Sequence, residues 1–132
     1  MKKYLVIGNP VSHSLSPQLH NYWLKKNNIN GIYDRKKLNS DDLENLILQI
    51  RNKEITGVNV TVPFKKEVIS YLDNLTPEAE ATQSVNTILL INDKIIGYNT
   101  DVGGFEKAIK DTKYNLEGKK ILILGAGGVV PS

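Results

Sequence analysis

The stretch "YLVIGNPVSHSLSPQLHNYWLKKN", residues 4–27, decides the fold class. Its apolar run, residues 4–8, is short and ends in Gly-Asn-Pro, which is typical of a buried strand that enters a turn. Ser16 and Pro17 then fit the N-cap and first position of a helix, because apolar residues follow them at helical spacing. The stretch therefore predicts a strand, a hydroxyl-rich loop and a helix.

The same order recurs along the chain. Residues 31–38 fit a second, half-exposed strand, and Ser40 with its acidic neighbours predicts the start of an amphipathic helix. Residues 56–64 are rich in β-branched residues and fit a third strand, and "KKEVISYLDNL" after them fits another helix. The order β-α-β-α-β-α favours a three-layer α/β sandwich with a mostly parallel sheet. The buried face of the amphipathic helix is predicted to carry Leu43, Leu46, Ile47 and Ile50.

The C-terminal part of the chain predicts a hairpin, a helix and an unpartnered strand. Two apolar runs flank the dipeptide Asn92-Asp93, a pattern typical of a two-residue hairpin turn. Asp101 is placed to cap the next helix, and residues 121–124 predict a strand. We therefore expect one domain over residues 1–101, a connecting helix over 102–118, and the start of a second domain over 119–132.

Composition excludes several function classes. The chain has 132 residues, 40% of them apolar, which is enough for one core but not for two full domains. It has no cysteine, which disfavours a metal site and permits a reducing cytoplasm. The N-terminal apolar run is too short for a signal or a membrane span. The net charge of +3 comes from basic residues spread along the sequence, so a nucleic-acid partner is not expected.

A glycine-rich turn follows the predicted strand at residues 121–124. A turn of this kind brings backbone N–H groups to a dinucleotide pyrophosphate at a helix N-terminus. Val130 stands where a third glycine or alanine is usual, and an ordinary tight turn is the alternative interpretation. The residues predicted to bind a cofactor are Gly125, Ala126, Gly127, Gly128 and Val129.

Four polar clusters lie at predicted strand ends or helix starts. Because the carboxyl ends of parallel strands form the crevice in which α/β proteins bind ligands, these clusters could meet at one site. Neutral donors and acceptors with one cation and one anion suit a polyhydroxylated small molecule that bears a carboxylate. The clusters are Ser14 with Ser16; Asn59, Thr61 and Lys65; Asn86 with Thr87; and Asn99 to Asp101.

Lys65 is the strongest candidate for acid–base chemistry. Burial and a nearby helix N-terminus would both disfavour its ammonium form, and a nearby carboxylate would oppose them. Its neighbour Lys66 keeps a second interpretation open, namely a solvated pair of surface lysines. Asp101 and Ser16 are equally compatible with simple helix caps. Ser14 has no such structural explanation, and the isolated His13 and His20 are expected to be structural or exposed.

Five motifs together resemble one family. "GNPVSHSLSP", "GVNVTVPFK", "SVNT", "GYNTD" and "GAGG", in this order and separation, closely resemble shikimate dehydrogenase over essentially the whole chain. The resemblance implies a substrate domain followed by the first strand and glycine turn of an NADP-binding Rossmann domain. It also implies reversible, NADPH-dependent reduction of 3-dehydroshikimate to shikimate, on the pathway to chorismate and the aromatic amino acids.

The resemblance also implies roles for single residues. Ser14 and Ser16 would hold the substrate carboxylate, and Lys65 and Asp101 would be the catalytic pair. Thr61, Lys65, Asn86 and Asp101 would surround the ring hydroxyls. Two alternatives remain, a quinate/shikimate dehydrogenase that uses NAD and a non-catalytic domain that binds a small hydroxy acid. The expected protein is a cytoplasmic monomer or homodimer, and the 132 residues by themselves are expected to be inactive.

Overall fold

The computed structural model describes residues 1–125, 127 and 130. Within these residues the chain forms six strands and four α-helices. The strands are β1 (Lys2–Gly8), β2 (Gly31–Lys37), β3 (Gly57–Val60), β4 (Asn74–Leu75), β5 (Thr87–Ile91) and β6 (Lys94–Tyr98). The helices are α1 (Ser16–Lys26), α2 (Leu43–Arg51), α3 (Pro77–Thr82) and α4 (Asp101–Asp111). Single 3₁₀ segments cover Ser40–Asp42 and Glu67–Tyr71.

The strands form one sheet in the order β2-β1-β3-β5-β6-β4. All neighbours are parallel except β5, which pairs antiparallel with both β3 and β6. This arrangement confirms the predicted mixed α/β fold with a mostly parallel sheet. The carboxyl ends of β1, β3 and β6 and the amino end of β5 therefore lie along one edge, which we call the carboxyl edge.

The main core lies between the sheet and α2. The four apolar residues predicted for the buried face of α2 are all at most 7% exposed, which confirms that prediction. They pack with Phe64, Val68, Val85, Ile88 and Ile95. On the opposite face α1 covers β1 and β2, and a smaller cluster of Val6, Val11 and Tyr33 is buried there. Burial of this apolar area is the main driving force for the fold.

The predicted hairpin is also confirmed. Asn92 and Asp93 have φ of 50° and 59°, the left-handed conformations that a two-residue type I′ turn requires. The turn joins β5 to β6 in register from Ile91–Lys94 to Thr87–Tyr98. The hairpin therefore places Thr87 and Tyr98 side by side at the carboxyl edge.

Two predicted helix features are wrong. Ser40 does not cap α2; the capping box is formed by Asn39 and Asp42, whose carboxylate accepts the Asn39 N–H at 2.8 Å. The segment "KKEVISYLDNL" is no α-helix but the 3₁₀ segment Glu67–Tyr71, because the chain is extended again at Leu72 and enters the short strand β4. That two-residue strand was not predicted.

The C-terminal segment is less regular than the pattern predicts. The helix in the predicted connector ends at Asp111, and residues 112–118 follow as turns and irregular chain. Residues 121–124 are 62–89% exposed and form no strand, since no described strand lies beside them to provide a ladder. The cofactor-binding predictions for Ala126, Gly128 and Val129 lie outside the described residues. Of the helices described, none has the length and apolarity needed to span a membrane.

Candidate ligand-binding site

The carboxyl edge collects the polar clusters. The loop after β1 carries Ser14, and the loop after β3 carries Thr61 and Lys65. Asn86 directly precedes β5, and Asp101 begins α4 three residues after β6 ends. The parallel directions of β1, β3 and β6 thus bring segments that are distant in sequence to one edge of the sheet.

Lys65 and Asp101 form an ion pair across this edge. Lys65 Nζ lies 2.6 Å from Asp101 Oδ2, although the two residues are 36 positions apart. The side chains are 12% and 28% exposed, so the pair is largely shielded but open on one side. The backbone carbonyl of Lys65 accepts the Val85 N–H at 2.8 Å. An ammonium has three N–H donors, so two remain for a ligand.

The Asn99 side chain, and not that of Asp101, accepts the first backbone N–H groups of α4, whose N-cap position is Thr100. Asn99 Oδ1 accepts the backbone N–H of Asp101 at 2.9 Å and that of Val102 at 3.2 Å. The prediction that Asp101 caps this helix is therefore wrong. Because Asn99 satisfies the first helical N–H groups, the Asp101 carboxylate is left to pair with Lys65.

The early hydroxyls line a separate cavity of about 310 Å³. Ser14, Ser16 and Thr61 share it with His13 and apolar neighbours. Ser14 Oγ accepts the Ser16 N–H at 3.3 Å, whereas Ser16 is itself the first residue of α1. The cap predicted for Ser16 is therefore wrong, and Ser14, which had no structural explanation in the sequence, receives one. The Ser14 hydroxyl keeps its own proton available for a ligand.

Asn86 is tied to the residue that precedes Asp101. Its Oδ1 accepts the Thr100 N–H at 3.0 Å, and its Nδ2 donates to Thr100 Oγ1 at 2.8 Å. Thr87 Oγ1 donates to the same Asn86 Oδ1 at 3.1 Å. These bonds fix the start of α4, and with it Asp101, against the start of β5.

Tyr33 is the residue that sequence reasoning missed. It is 4% exposed, and its hydroxyl donates to Asn59 Oδ1 at 2.7 Å. Burial raises the pKa of Tyr33 to about 12, while the nearby Ser16 side chain acts in the other direction. The alternation of strand residues could have flagged Tyr33 as the inward-facing aromatic of β2.

The two histidines have different surroundings, and each fits the expectation that it is either structural or exposed. The His20 ring stacks on Tyr33 with centroids 4.2 Å apart and meets Trp23 edge-on at 5.4 Å. Burial lowers the pKa of His20, which favours its neutral form. His13 is exposed at the rim of the hydroxyl-lined cavity.

The described part of the glycine-rich segment does not build a cofactor site. Gly125 has a φ of +126°, and a Cβ at Gly125 or Gly127 would meet no atom within 4 Å, so backbone there is accessible. A dinucleotide site also requires a strand and the N-terminus of a following helix. Neither is present in residues 112–125, 127 and 130.

Comparisons with known proteins identify similar chains. The family model described as "Shikimate dehydrogenase substrate binding domain" matches residues 6–88. The chain is 56% identical over 131 residues to a protein of Pelagibacter ubique named shikimate dehydrogenase (NADP(+)), covering 99% of this chain and 49% of that one.

Solved structures give the same result. Shikimate dehydrogenase 1 from Peptoclostridium difficile aligns with a TM-score of 0.92 at 38% identity, covering 99% of this chain and 50% of that one. Shikimate 5-dehydrogenase from Thermus thermophilus in complex with shikimate aligns with a TM-score of 0.90 at 36% identity, with the same coverage. The chain thus spans about half the length of the relatives that it matches.

Proposed function

Because this chain belongs to the shikimate dehydrogenase family, through the family's substrate-binding domain, we propose that it is the substrate-binding half of an NADP-dependent shikimate dehydrogenase. The reaction is the reversible reduction of 3-dehydroshikimate to shikimate. The observation that carries the proposal is the Lys65–Asp101 ion pair, which lies at the same edge of the sheet as the separate cavity lined by Ser14, Ser16 and Thr61. An ammonium with two unused donors beside a carboxylate suits acid–base chemistry at a hydroxyl or carbonyl oxygen.

The proposal divides the chain by role. Residues 1–101 form the substrate-binding and catalytic domain, 102–118 connect the domains, and 119–132 begin the NADP-binding domain. Two findings support this division. The family match lies within residues 6–88, and the Pelagibacter ubique relative is about twice as long as this chain. Cofactor binding belongs to the whole protein in this scheme, because the described residues do not build a dinucleotide site.

Ser14 and Ser16 are proposed to hold the substrate carboxylate. Both line one cavity at the carboxyl edge, and the Ser14 hydroxyl can donate while its oxygen accepts the Ser16 N–H. Charge-assisted hydrogen bonds from hydroxyls to a carboxylate are among the stronger polar contacts. Thr61, Lys65, Asn86 and Asp101 are proposed to bind the ring hydroxyls.

Lys65 is proposed to supply the proton. Reduction of a ketone places a hydride on the carbonyl carbon and a proton on its oxygen, and the bound NADPH supplies the hydride. A Lys65 N–H directed at that oxygen would stabilise the developing negative charge and then complete the hydroxyl. Asp101 accepts one Lys65 N–H and so orients the remaining two.

The activity test needs both halves of the enzyme. Residues 1–131 are joined to the C-terminal half of the Pelagibacter ubique relative, and NADP reduction by shikimate is followed at 340 nm. Lys65→Ala should lower kcat by roughly 10²- to 10⁴-fold with a smaller effect on KM. Lys66→Ala, at the adjacent exposed lysine, is the matched control and should retain activity. Full turnover by the Lys65→Ala fusion would refute the assignment.

The same assay separates the neighbouring functions. Quinate and NAD are offered in place of shikimate and NADP, and strong activity with either would favour a quinate/shikimate dehydrogenase. If the Pelagibacter ubique relative is active while the fusion binds shikimate but shows no activity, the chain would be a non-catalytic binding domain. We also propose a cytoplasmic location, since a chain without cysteine suits a reducing compartment, and a monomeric or homodimeric state.

A further inference from the structure

The buried hydroxyl of Tyr33 has no part in the proposed chemistry. It comes from β2, at the edge of the sheet farthest from β6, yet it bonds to Asn59 at 2.7 Å on β3. Apolar packing against His20 needs only the Tyr33 ring, which a phenylalanine would also supply. The hydroxyl therefore requires a separate explanation.

The backbone fixes the direction of the Tyr33 hydrogen bond. Asn59 Nδ2 lies 3.3 Å from the backbone carbonyl of Asn86, which can only accept. The other end of the Asn59 amide, Oδ1, therefore faces Tyr33, and the Tyr33 hydroxyl must donate its proton to it.

The donor-to-acceptor order of these hydrogen bonds also fixes how Asn86 is oriented. Asn59 Nδ2 also donates to Thr87 Oγ1 at 3.0 Å, so the Thr87 proton is directed to Asn86 Oδ1. The same Asn86 oxygen accepts the Thr100 N–H, and this leaves Asn86 with its Nδ2 donors. One of them is bonded to Thr100 Oγ1, and the second can donate to a ligand oxygen.

We propose that Tyr33 is a positioning residue, whose hydroxyl holds Asn59 so that Thr87 and then Asn86 present a hydrogen-bond donor to a ligand oxygen. This positioning role rests on the proposed function, which makes Asn86 a substrate contact. The ligand class selected at Asn86 is an oxygen acceptor, a hydroxyl or a carbonyl.

Two substitutions interrupt the chain of hydrogen bonds at different points. Tyr33→Phe keeps the ring on His20 but leaves Asn59 Oδ1 without its donor. Thr87→Val removes the hydroxyl between Asn59 and Asn86, and Thr87→Ser keeps that hydroxyl. Tyr22→Phe is the matched control, since Tyr22 lies on α1 and is 59% exposed.

Shikimate is titrated into the 132-residue chain and its variants, and binding is followed by NMR. Tyr33→Phe and Thr87→Val should each weaken shikimate binding by about five- to tenfold, the value of one lost hydrogen bond. Thr87→Ser and Tyr22→Phe should stay within about twofold of the unmodified chain. Without ligand, the side-chain amide resonances of Asn86 should shift in Tyr33→Phe, although the two residues share no direct bond.

The outcomes separate this role from simple packing. If Tyr33→Phe and Thr87→Val lose thermal stability but bind shikimate like the unmodified chain, Tyr33 is structural and the inference is wrong. If Tyr33→Phe does not fold, the two Thr87 variants test the inference instead. Thr87→Val must then weaken shikimate binding while Thr87→Ser retains it, and equal binding by both would contradict the inference. An unmodified chain that does not bind shikimate contradicts the proposed function, whereas unmoved Asn86 resonances in the ligand-free variants contradict the Tyr33 inference alone.

Discussion

Removal of the Asp101 carboxylate tests how strongly the ion pair couples Lys65 to α4. Asp101→Asn keeps the size of the side chain but leaves the Lys65 ammonium, 12% exposed, without its anion. At 2.6 Å the Coulomb attraction is about 6 kcal/mol for an effective dielectric constant of 20. Desolvation of both groups offsets much of that attraction, and hydrogen bonds to charged groups contribute about 1.5–3 kcal/mol net.

We therefore expect Asp101→Asn to lower the free energy of unfolding by about 1.5–3 kcal/mol, or the Tm by about 5–10 °C for a chain of this size. The assay is thermal and urea unfolding of Asp101→Asn, Lys65→Met and the double variant. The coupling energy of this cycle should exceed about 1 kcal/mol, because the partners touch.

Asp111→Asn provides the matched control on the same helix. Asp111 pairs with Lys107 at 3.5 Å, but its side chain is 68% exposed, and exposed pairs contribute little. We expect Asp111→Asn to leave the Tm nearly unchanged. Additive effects of Asp101→Asn and Lys65→Met, within about 0.5 kcal/mol, would refute the coupling.

Three further substitutions test the fold around the site. The Ile95 N–H and Arg51 hold the pKa of Asp73 below its usual value. The stability that Asp73 contributes is therefore present above about pH 4 and is lost as the pH falls through the lower folded-state pKa. Asp73→Asn should flatten the acid limb of a plot of Tm against pH. Asn99→Ala removes the side-chain acceptor of the first N–H groups of α4 and should cost about 1–2 kcal/mol in urea unfolding, and hydrogen exchange should rise first at the start of that helix. Gly97→Ala places a Cβ 2.5 Å from a Leu72 side-chain carbon and should cost about 1–3 kcal/mol; an unchanged urea midpoint would contradict the close packing.

Hydrophobic periodicity predicted the parts of the fold that are set by local pattern. The buried face of α2 and the Asn92-Asp93 turn follow from short-range spacing and from backbone preference, and both are confirmed. The carboxyl-edge rule also predicted that the polar clusters would lie at one edge of the sheet, because strand direction brings distant loops there. That the clusters meet at one ligand stays a prediction, since the early hydroxyls line a cavity separate from the Lys65–Asp101 pair.

Features that depend on tertiary partners could not be read from the sequence. Either Asn99 or Asp101 could accept the first helical N–H groups by residue type, and the sequence does not show that Asp101 instead pairs with Lys65, 36 positions away. The Tyr33–Asn59 bond likewise joins residues 26 positions apart, on strands that are separated by β1 in the sheet. No local pattern marks either pair.

A crystal structure of the chain with bound shikimate tests the central claim most directly, namely that the early hydroxyls and the ion pair serve one ligand. The shikimate carboxylate should lie within hydrogen-bond distance of the Ser14 and Ser16 hydroxyls, and a ring hydroxyl should lie within that distance of Lys65 Nζ. Shikimate bound away from the carboxyl edge, or bound at the hydroxyls with its ring turned away from Lys65 and Asp101, would contradict the claim.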